Sequence, residues 1–305
     1  MTWRGSSAGR ARSPRWWPSS GLKRTGRSVP PGDDGVGRLG LIAGGGGLPG
    51  AIAADCAVRG REVFVIRLKG FADPALAGLP GEESGLVEFG RSVKALKRAG
   101  CQSVCLAGMV SHPDFAALKP DLLAMKHLPR VVAEAGKGDD ALLRAILGAF
   151  EREGFGVEGA GEAAPGLLLG PGPLGALSPT SDQARDVEMA MKAAREVGRT
   201  DVAQGAVARG GQVIGREARG GTDAMLAALP ASPGVREGVL AKLPKPAQDR
   251  RVDLPTIGVR TIERAAAAGL AGLVGEAQGL LVVDREAVRE AADRLGLFVV
   301  GVEAP

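Results

Sequence analysis

Apolar positions fall in short runs that alternate with stretches of helical period. The run Leu39-Gly40-Leu41-Ile42-Ala43 reads as a buried strand and leads into four glycines, Gly44 to Gly47. A helical stretch over 51–59 and a second apolar run over 63–68 complete a βαβ unit. A helix over 91–99, stopped by Gly100, a strand over 103–107 and a helix over 139–153, stopped by Gly154, continue the alternation. Strands alternating with helices predict a parallel sheet covered on both faces, a Rossmann-like domain over 38–158. The longest uncharged run, 163–181, holds four Gly and four Pro, so it is a loop and not a membrane span. Residues 159–179 are therefore expected to be a linker between domains. Beyond it the pattern predicts a helix over 181–197, then strands over 205–208 and 212–216 joined as a hairpin through Gly210-Gly211. A short helix after Gly220-Gly221 and a polar stretch over 242–256 come next. The chain closes with a helix over 257–268, strands over 270–274 and 280–283, a helix over 285–295 and a strand over 297–302. This second unit, 180–305, is also α/β.

Composition narrows the function. The formal charge of +5 suggests a nucleic-acid partner until its position is read. Residues 1–37 carry seven basic and two acidic side chains and all three Trp, while the rest has 32 of each sign and seven Phe as its only aromatics. A neutral body without stacking platforms argues against nucleic acid. The first 37 residues, rich in Arg, Ser, Gly and Pro without apolar period, are expected to be a disordered basic tail or a mis-annotated start. They contain no uninterrupted apolar stretch of a secretory signal. Three Cys without a Cys-x-x-Cys pair argue against structural zinc and for a reducing cytosol. Two His cannot furnish a His-rich two-metal site, so any metal would be held by carboxylates, which points to magnesium or manganese.

Several clusters carry candidate chemistry. Gly45, Gly47 and Gly50 match the dinucleotide fingerprint, but the following strand ends Arg67-Leu68-Lys69 where a nicotinamide site needs a carboxylate. The loop Gly44-Gly45-Gly46 is better read as a phosphate or sugar-nucleotide contact. Cys101 and Cys105 read as buried apolar side chains; His112, His127, Asp139 and Asp140 are weak candidates, the acids being explained by a helix start. Gly221-Thr222-Asp223 opens a helix with an exposed backbone. The stretch 245–256 packs Lys245, Arg250 and Arg251 with Asp249 and Asp253, the mix that a magnesium pyrophosphate requires.

Six ordered blocks together resemble the LpxI-type UDP-2,3-diacylglucosamine pyrophosphatases. They are Leu39 to Gly46, Phe71-Ala72-Asp73-Pro74, Pro113-Asp114-Phe115, Lys137 to Arg144, Gly221 to Leu226 and Arg251 to Gly258, spanning about Arg38 to Val302. The resemblance implies hydrolysis of UDP-2,3-diacylglucosamine to 2,3-diacylglucosamine 1-phosphate and UMP in lipid A biosynthesis, with magnesium, or manganese as its alternative, and water attacking the sugar-side phosphorus. It implies a cytoplasmic enzyme whose glycolipid lies between the two domains. Asp223, with Thr222, is the expected catalytic position, and Asp223, Asp249 and Asp253 are the expected metal ligands. Gly44, Gly45, Gly46, Gln204, Gly205, Lys245 and Arg251 are the expected substrate contacts. No amphipathic basic helix stands out, so contact with the inner membrane is expected to be brief; a homodimer is a further expectation. Two other readings stay open: an NADP-dependent oxidoreductase, with Arg67 on a 2′-phosphate, and a non-catalytic sugar-nucleotide binder.

Overall fold

The computed structural model describes residues 37–110, 120–136, 139–199, 203–230, 236–246, 249–251 and 253–304. In the first unit β1 (Leu39–Ala43), α1 (Leu48–Val58), β2 (Val63–Leu68), β3 (Gly81–Ser84), α2 (Phe89–Arg98), β4 (Ser103–Ala107), α3 (Leu122–Ala135), α4 (Asp139–Arg152) and β5 (Gly156–Val157) follow in order. Their strands form one parallel sheet in the order β3-β2-β1-β4-β5. β1 is central and fully buried, with Leu39 opposite Val63 on one side and Ser103 on the other. Leu39, Leu41 and Ala43 face one core with Ile52 and Cys56 of α1. Ile42 faces the other, with Leu96 of α2 and Phe150 of α4, as the two-residue side-chain period of a strand requires. The chain leaves β1 toward β2 and returns to β4 on its other side. The crevice beyond the carboxyl ends of β1 and β4 is thus the topological switch point, where open α/β sheets bind ligands.

The segment expected to be a linker is packed instead. α5 (Ala160–Ala163) and Leu167 join the core of the first unit, and Leu169 joins that of the second. β6 (Gly172–Pro173) pairs antiparallel with the last strand. The second unit then runs α6 (Ala184–Arg199), β7 (Gly205–Arg209), β8 (Gln212–Arg216), α7 (Gly221–Ala227), β9 (Val239–Lys242), β10 (Thr256–Ile257), α8 (Val259–Ala267), β11 (Gly272–Glu276), β12 (Leu281–Val282), α9 (Arg285–Leu295) and β13 (Phe298–Val302). Its sheet is mixed, in the order β6-β13-β11-β9-β7-β8, with β9, β11 and β13 parallel and β7 antiparallel to both its neighbours. The hairpin turn at Gly210-Gly211 has φ of 59° and 74°, a left-handed pair that glycine adopts without a Cβ clash.

The two units share apolar surface. Leu254 and Leu281 of the second lie in the core of the first, β10 pairs with β12 beside them, and Arg285 donates to the carbonyls of Gly166 and Leu168. Outside 159–179, five of these elements went unforeseen: β3, β5, β9, β10 and α3, the last with Pro129 inside it.

Candidate active site

The first rim lies at the switch point. Gly45 donates to the Met109 carbonyl at 2.8 Å and accepts from the Met109 N–H at 2.9 Å, so the loops after β1 and β4 are clipped backbone to backbone. A Cβ on Gly44 would stand 2.7 Å from the Met109 carbonyl oxygen, one on Gly45 3.0 Å from that of Phe71, and Gly46 has φ of +86°. All three positions demand glycine. Gly47 and Gly50 do not: a Cβ there would meet only Val283 at 3.5 Å and Leu76 at 3.9 Å. The literal dinucleotide fingerprint is thus incidental. Arg67, the only rescue for an NADP reading, is spent on the carbonyls of Leu76, Leu79 and Gly81.

The second rim is built on three adjacent strands. Gly205 on β7 pairs across the sheet with Lys242, the last residue of β9, and accepts from the Glu217 N–H just past β8. Because Gly205 has no side chain, the Glu217 carboxylate moves in; a Cβ there would lie 2.9 Å from Glu217 Oε2. Glu217 Oε2 accepts from Gln204 N at 3.0 Å and Oε1 from the Thr222 hydroxyl at 2.7 Å. Gln204 Oε1 is buried and accepts no hydrogen bond among the described residues. Lys242 is buried and donates from Nζ to the Thr256 carbonyl at 3.3 Å. Burial pulls its ammonium below the ordinary lysine range, against the pull of Glu217, Asp253 and Asp223, whose charges all reach it.

Asp223, on the first turn of α7, is half-exposed and ion-paired with Arg260 at 3.0 Å and Arg264 at 3.3 Å, two arginines one turn apart on α8. Asp249 serves Arg251: it accepts from the Arg251 backbone at 3.0 Å and its guanidinium at 2.7 Å, and Arg251 reaches on to Glu151 of α4 at 3.2 Å. That hydrogen bonding holds the Asp249 carboxyl below the usual range. Arg251 also lies against the first unit at Gly159, where a Cβ would stand 2.7 Å from the Arg251 Cα. Lys245 packs beside Gly198 of α6.

Among the described residues no three His, Cys, Asp or Glu side chains gather for a metal. The three carboxylates expected to share one are not assembled as a set: Asp249 is held by Arg251, while Asp223 and Asp253 face Lys242 from different segments. A cage made only of protein ligands does not fit. Magnesium needs fewer protein ligands than that, one or two carboxylates completed by water and phosphate oxygens.

Among the remaining candidates, the three Cys are buried free thiols. His127 is a core residue between Phe89 and Glu153. Asp140 pairs with Arg144 one turn on. His112 and the Pro113-Asp114-Phe115 block lie outside the described residues. Sequence reading missed Glu217, Arg260 and Arg264; only the four-residue spacing of the two arginines on a helix was available as a signal.

A family model described as the LpxI N-terminal domain matches residues 38–167, and one described as the LpxI C-terminal domain matches 170–300. A relative from Caulobacter vibrioides, named UDP-2,3-diacylglucosamine pyrophosphatase LpxI, is 55% identical over 273 residues, 87% of this chain and 98% of its own length. Among solved structures, one described as CobK precorrin-6A reductase aligns with 88% of either chain at 18% identity and a TM-score of 0.29. With both of its units matched in order, the chain belongs to the LpxI family.

Proposed function

We infer that this protein is a hydrolase that cleaves the pyrophosphate of UDP-2,3-diacylglucosamine, releasing UMP and 2,3-diacylglucosamine 1-phosphate in lipid A biosynthesis. The observation that carries the reading is 55% identity across 98% of a relative named for that activity. The chemistry of the two rims supports it. The Gly44-Gly45-Gly46 loop, held by its own backbone bonds, presents exposed backbone at Gly46 beside the switch point, and the second rim holds a buried lysine that the charges of three carboxylates reach.

In this reading Asp223 and Asp253 are the carboxylates that hold a magnesium ion, or manganese, and the attacking water. A metal held by these carboxylates would neutralise phosphate charge and make the phosphorus a better electrophile. Substrate phosphate competes for Arg260 and Arg264 and so frees Asp223 from them. Gln204 offers its spare buried oxygen to a substrate donor. Lys245 and Arg251 are kept as phosphate contacts. Water attacks the sugar-side phosphorus; in labelled water the oxygen isotope enters the sugar phosphate, and its appearance in UMP would overturn that choice.

No helix among the described residues is long and apolar enough to cross a membrane. A cytoplasmic enzyme must therefore take a diacylated substrate from a bilayer surface. α3 supports such contact: Leu122, Met125 and Val132 recur along one face and are 86%, 55% and 61% exposed, with Lys126 and Arg130 between them. Met109, 76% exposed, is a separate apolar side chain beside the glycine loop, where its Cε would lie 4.0 Å from a Gly46 Cβ. The test of the whole reading is UMP release from the lipid substrate with magnesium, and its suppression by a chelator. Retained binding without release would favour a non-catalytic binder.

A further inference from the structure

Glu217 and Lys242 are both less than a tenth exposed and sit side by side across Gly205, at the ends of three adjacent strands. Two charges so placed give up their hydration, and the Glu217 charge reaching Lys242 is by itself weak evidence for stability, since apolar side chains of similar volume commonly do as well. What this pair touches is more informative. Glu217 accepts the Thr222 hydroxyl at 2.7 Å, which fixes the residue just before Asp223. Its other oxygen takes the Gln204 N–H at 3.0 Å, so the carboxylate is anchored on β7 as well. Lys242 donates to the Thr256 carbonyl at 3.3 Å, on the segment that carries Asp253. One arm thus ends at the residue before Asp223 and the other at a carbonyl three residues after Asp253. Thr222, whose hydroxyl is committed to Glu217, is the link in the first arm.

We propose that Glu217 and Lys242 are positioning residues for the hydrolysis, a buried ionic frame that sets Asp223, through Thr222, and Asp253, through the Thr256 segment, at one working separation. The proposal rests on the pyrophosphatase reading above. A glutamine at 217 keeps its size but loses the charge, and it holds both partners only if the Thr222 hydroxyl turns from donor to acceptor of the amide N–H. That variant therefore replaces a charge-assisted anchor by a neutral, reversed one.

The experiment measures steady-state UMP release with UDP-2,3-diacylglucosamine and magnesium, per folded molecule, alongside thermal melting. Glu217→Gln and Thr222→Val are each expected to lower kcat at least ~10-fold with KM within about threefold, the pattern of misplaced reacting groups rather than lost binding. Combining them lowers kcat no further than the worse single change, because both cut the same arm. Lys242→Met alone leaves Glu217 buried without its counter-charge and lowers the melting temperature. The double variant Glu217→Gln/Lys242→Met removes both charges together and is expected to melt near the wild type while its kcat stays low. Recovery of turnover along with stability in that double variant would make the pair merely structural and overturn the proposal. Wild-type kcat in Glu217→Gln would do the same. The wild type is assayed in parallel, so failure of the pyrophosphatase reading shows as an inactive parent, and failure of the frame as active variants.

Discussion

Replacing Gly44 with alanine adds one methyl group at the place where the loops after β1 and β4 cross. Its Cβ would stand 2.7 Å from the Met109 carbonyl oxygen and 3.1 Å from two carbonyl carbons, all backbone, where ordinary contact starts at 3.4 Å. No side chain can rotate away, so the loops must part by roughly 0.7 Å, and the two Gly45–Met109 hydrogen bonds stretch with them. Overpacking costs about 1–3 kcal/mol and each weakened hydrogen bond up to about 1 kcal/mol, so the loss is about 1–5 kcal/mol. At about 2–4 °C per kcal/mol, Gly44→Ala should melt roughly 2–20 °C below the wild type. If the loop contacts the substrate, KM rises as well. Gly50 is the control with the opposite sign. It lies inside α1 with only Leu76 in reach of a new Cβ, so Gly50→Ala should stabilise by up to about 1 kcal/mol through helix propensity. Gly47→Ala, with Val283 at 3.5 Å, should be near neutral. The measurements are melting by circular dichroism and KM for UMP release. A Gly44→Ala protein with wild-type melting and KM, or a Gly50→Ala protein that melts well below the wild type, would refute the assignment of which glycines matter.

Three further outcomes follow from the described geometry. Burial pushes the Cys101 thiol up to about 11 and the Cys105 thiol to about 12, and raises Cys56, so none should react with a thiol reagent at pH 8 until urea unfolds the chain; fast labelling of the native protein would contradict their burial. Burial raises the Glu158 carboxyl, but hydrogen bonds from Arg61 at 2.7 Å and from Ser103 together bring it below its ordinary value. A lowered carboxyl adds stability above its unfolded pKa that is lost as pH falls through the folded one, so the urea midpoint should drop on acidification. Arg61→Ala strands a part-buried carboxylate, costs about 1–3 kcal/mol and weakens or reverses that slope; an unchanged pH profile would refute this reasoning. Replacing Leu122, Met125 and Val132 together with serine should abolish cosedimentation with anionic phospholipid vesicles while leaving turnover of detergent-dispersed substrate intact; equal sedimentation of variant and wild type would remove α3 from the membrane reading.

Much of the frame was legible because its cause is local. β2, β4 and α9 have the residue ranges their patterns predict, and the two-glycine hairpin joins β7 to β8, since each is specified by a run, a cap or a turn of its own. β9 was hidden because Lys242 ends it, and a charge after a short apolar run reads as the start of a polar stretch. Pro129 inside α3, together with an apolar face turned outward, masked a helix that periodicity should have found. The segment 159–179 has the composition of a linker, but its Leu167 and Leu169 are claimed by two different cores, which only tertiary packing decides. In the site, Thr222, Asp223 and the glycine loop were within reach as motifs. Glu217 was not: flanked by Arg216 and Ala218, it reads as solvated, and only the register of β8, β7 and β9 across Gly205 brings it to Lys242.

The proposed hydrolysis of a lipid-linked pyrophosphate turns on Asp223 and Asp253, whose charges both reach Lys242. The most direct measurement is UMP release from UDP-2,3-diacylglucosamine by the wild type, with magnesium and with chelator, against Asp223→Ala, Asp253→Ala and their double variant. The account predicts release that chelator suppresses, a loss of at least ~10²-fold in each single variant, and a folded but inactive double variant. Release that is indifferent to chelator, or a double variant that keeps near-wild-type turnover, would contradict it.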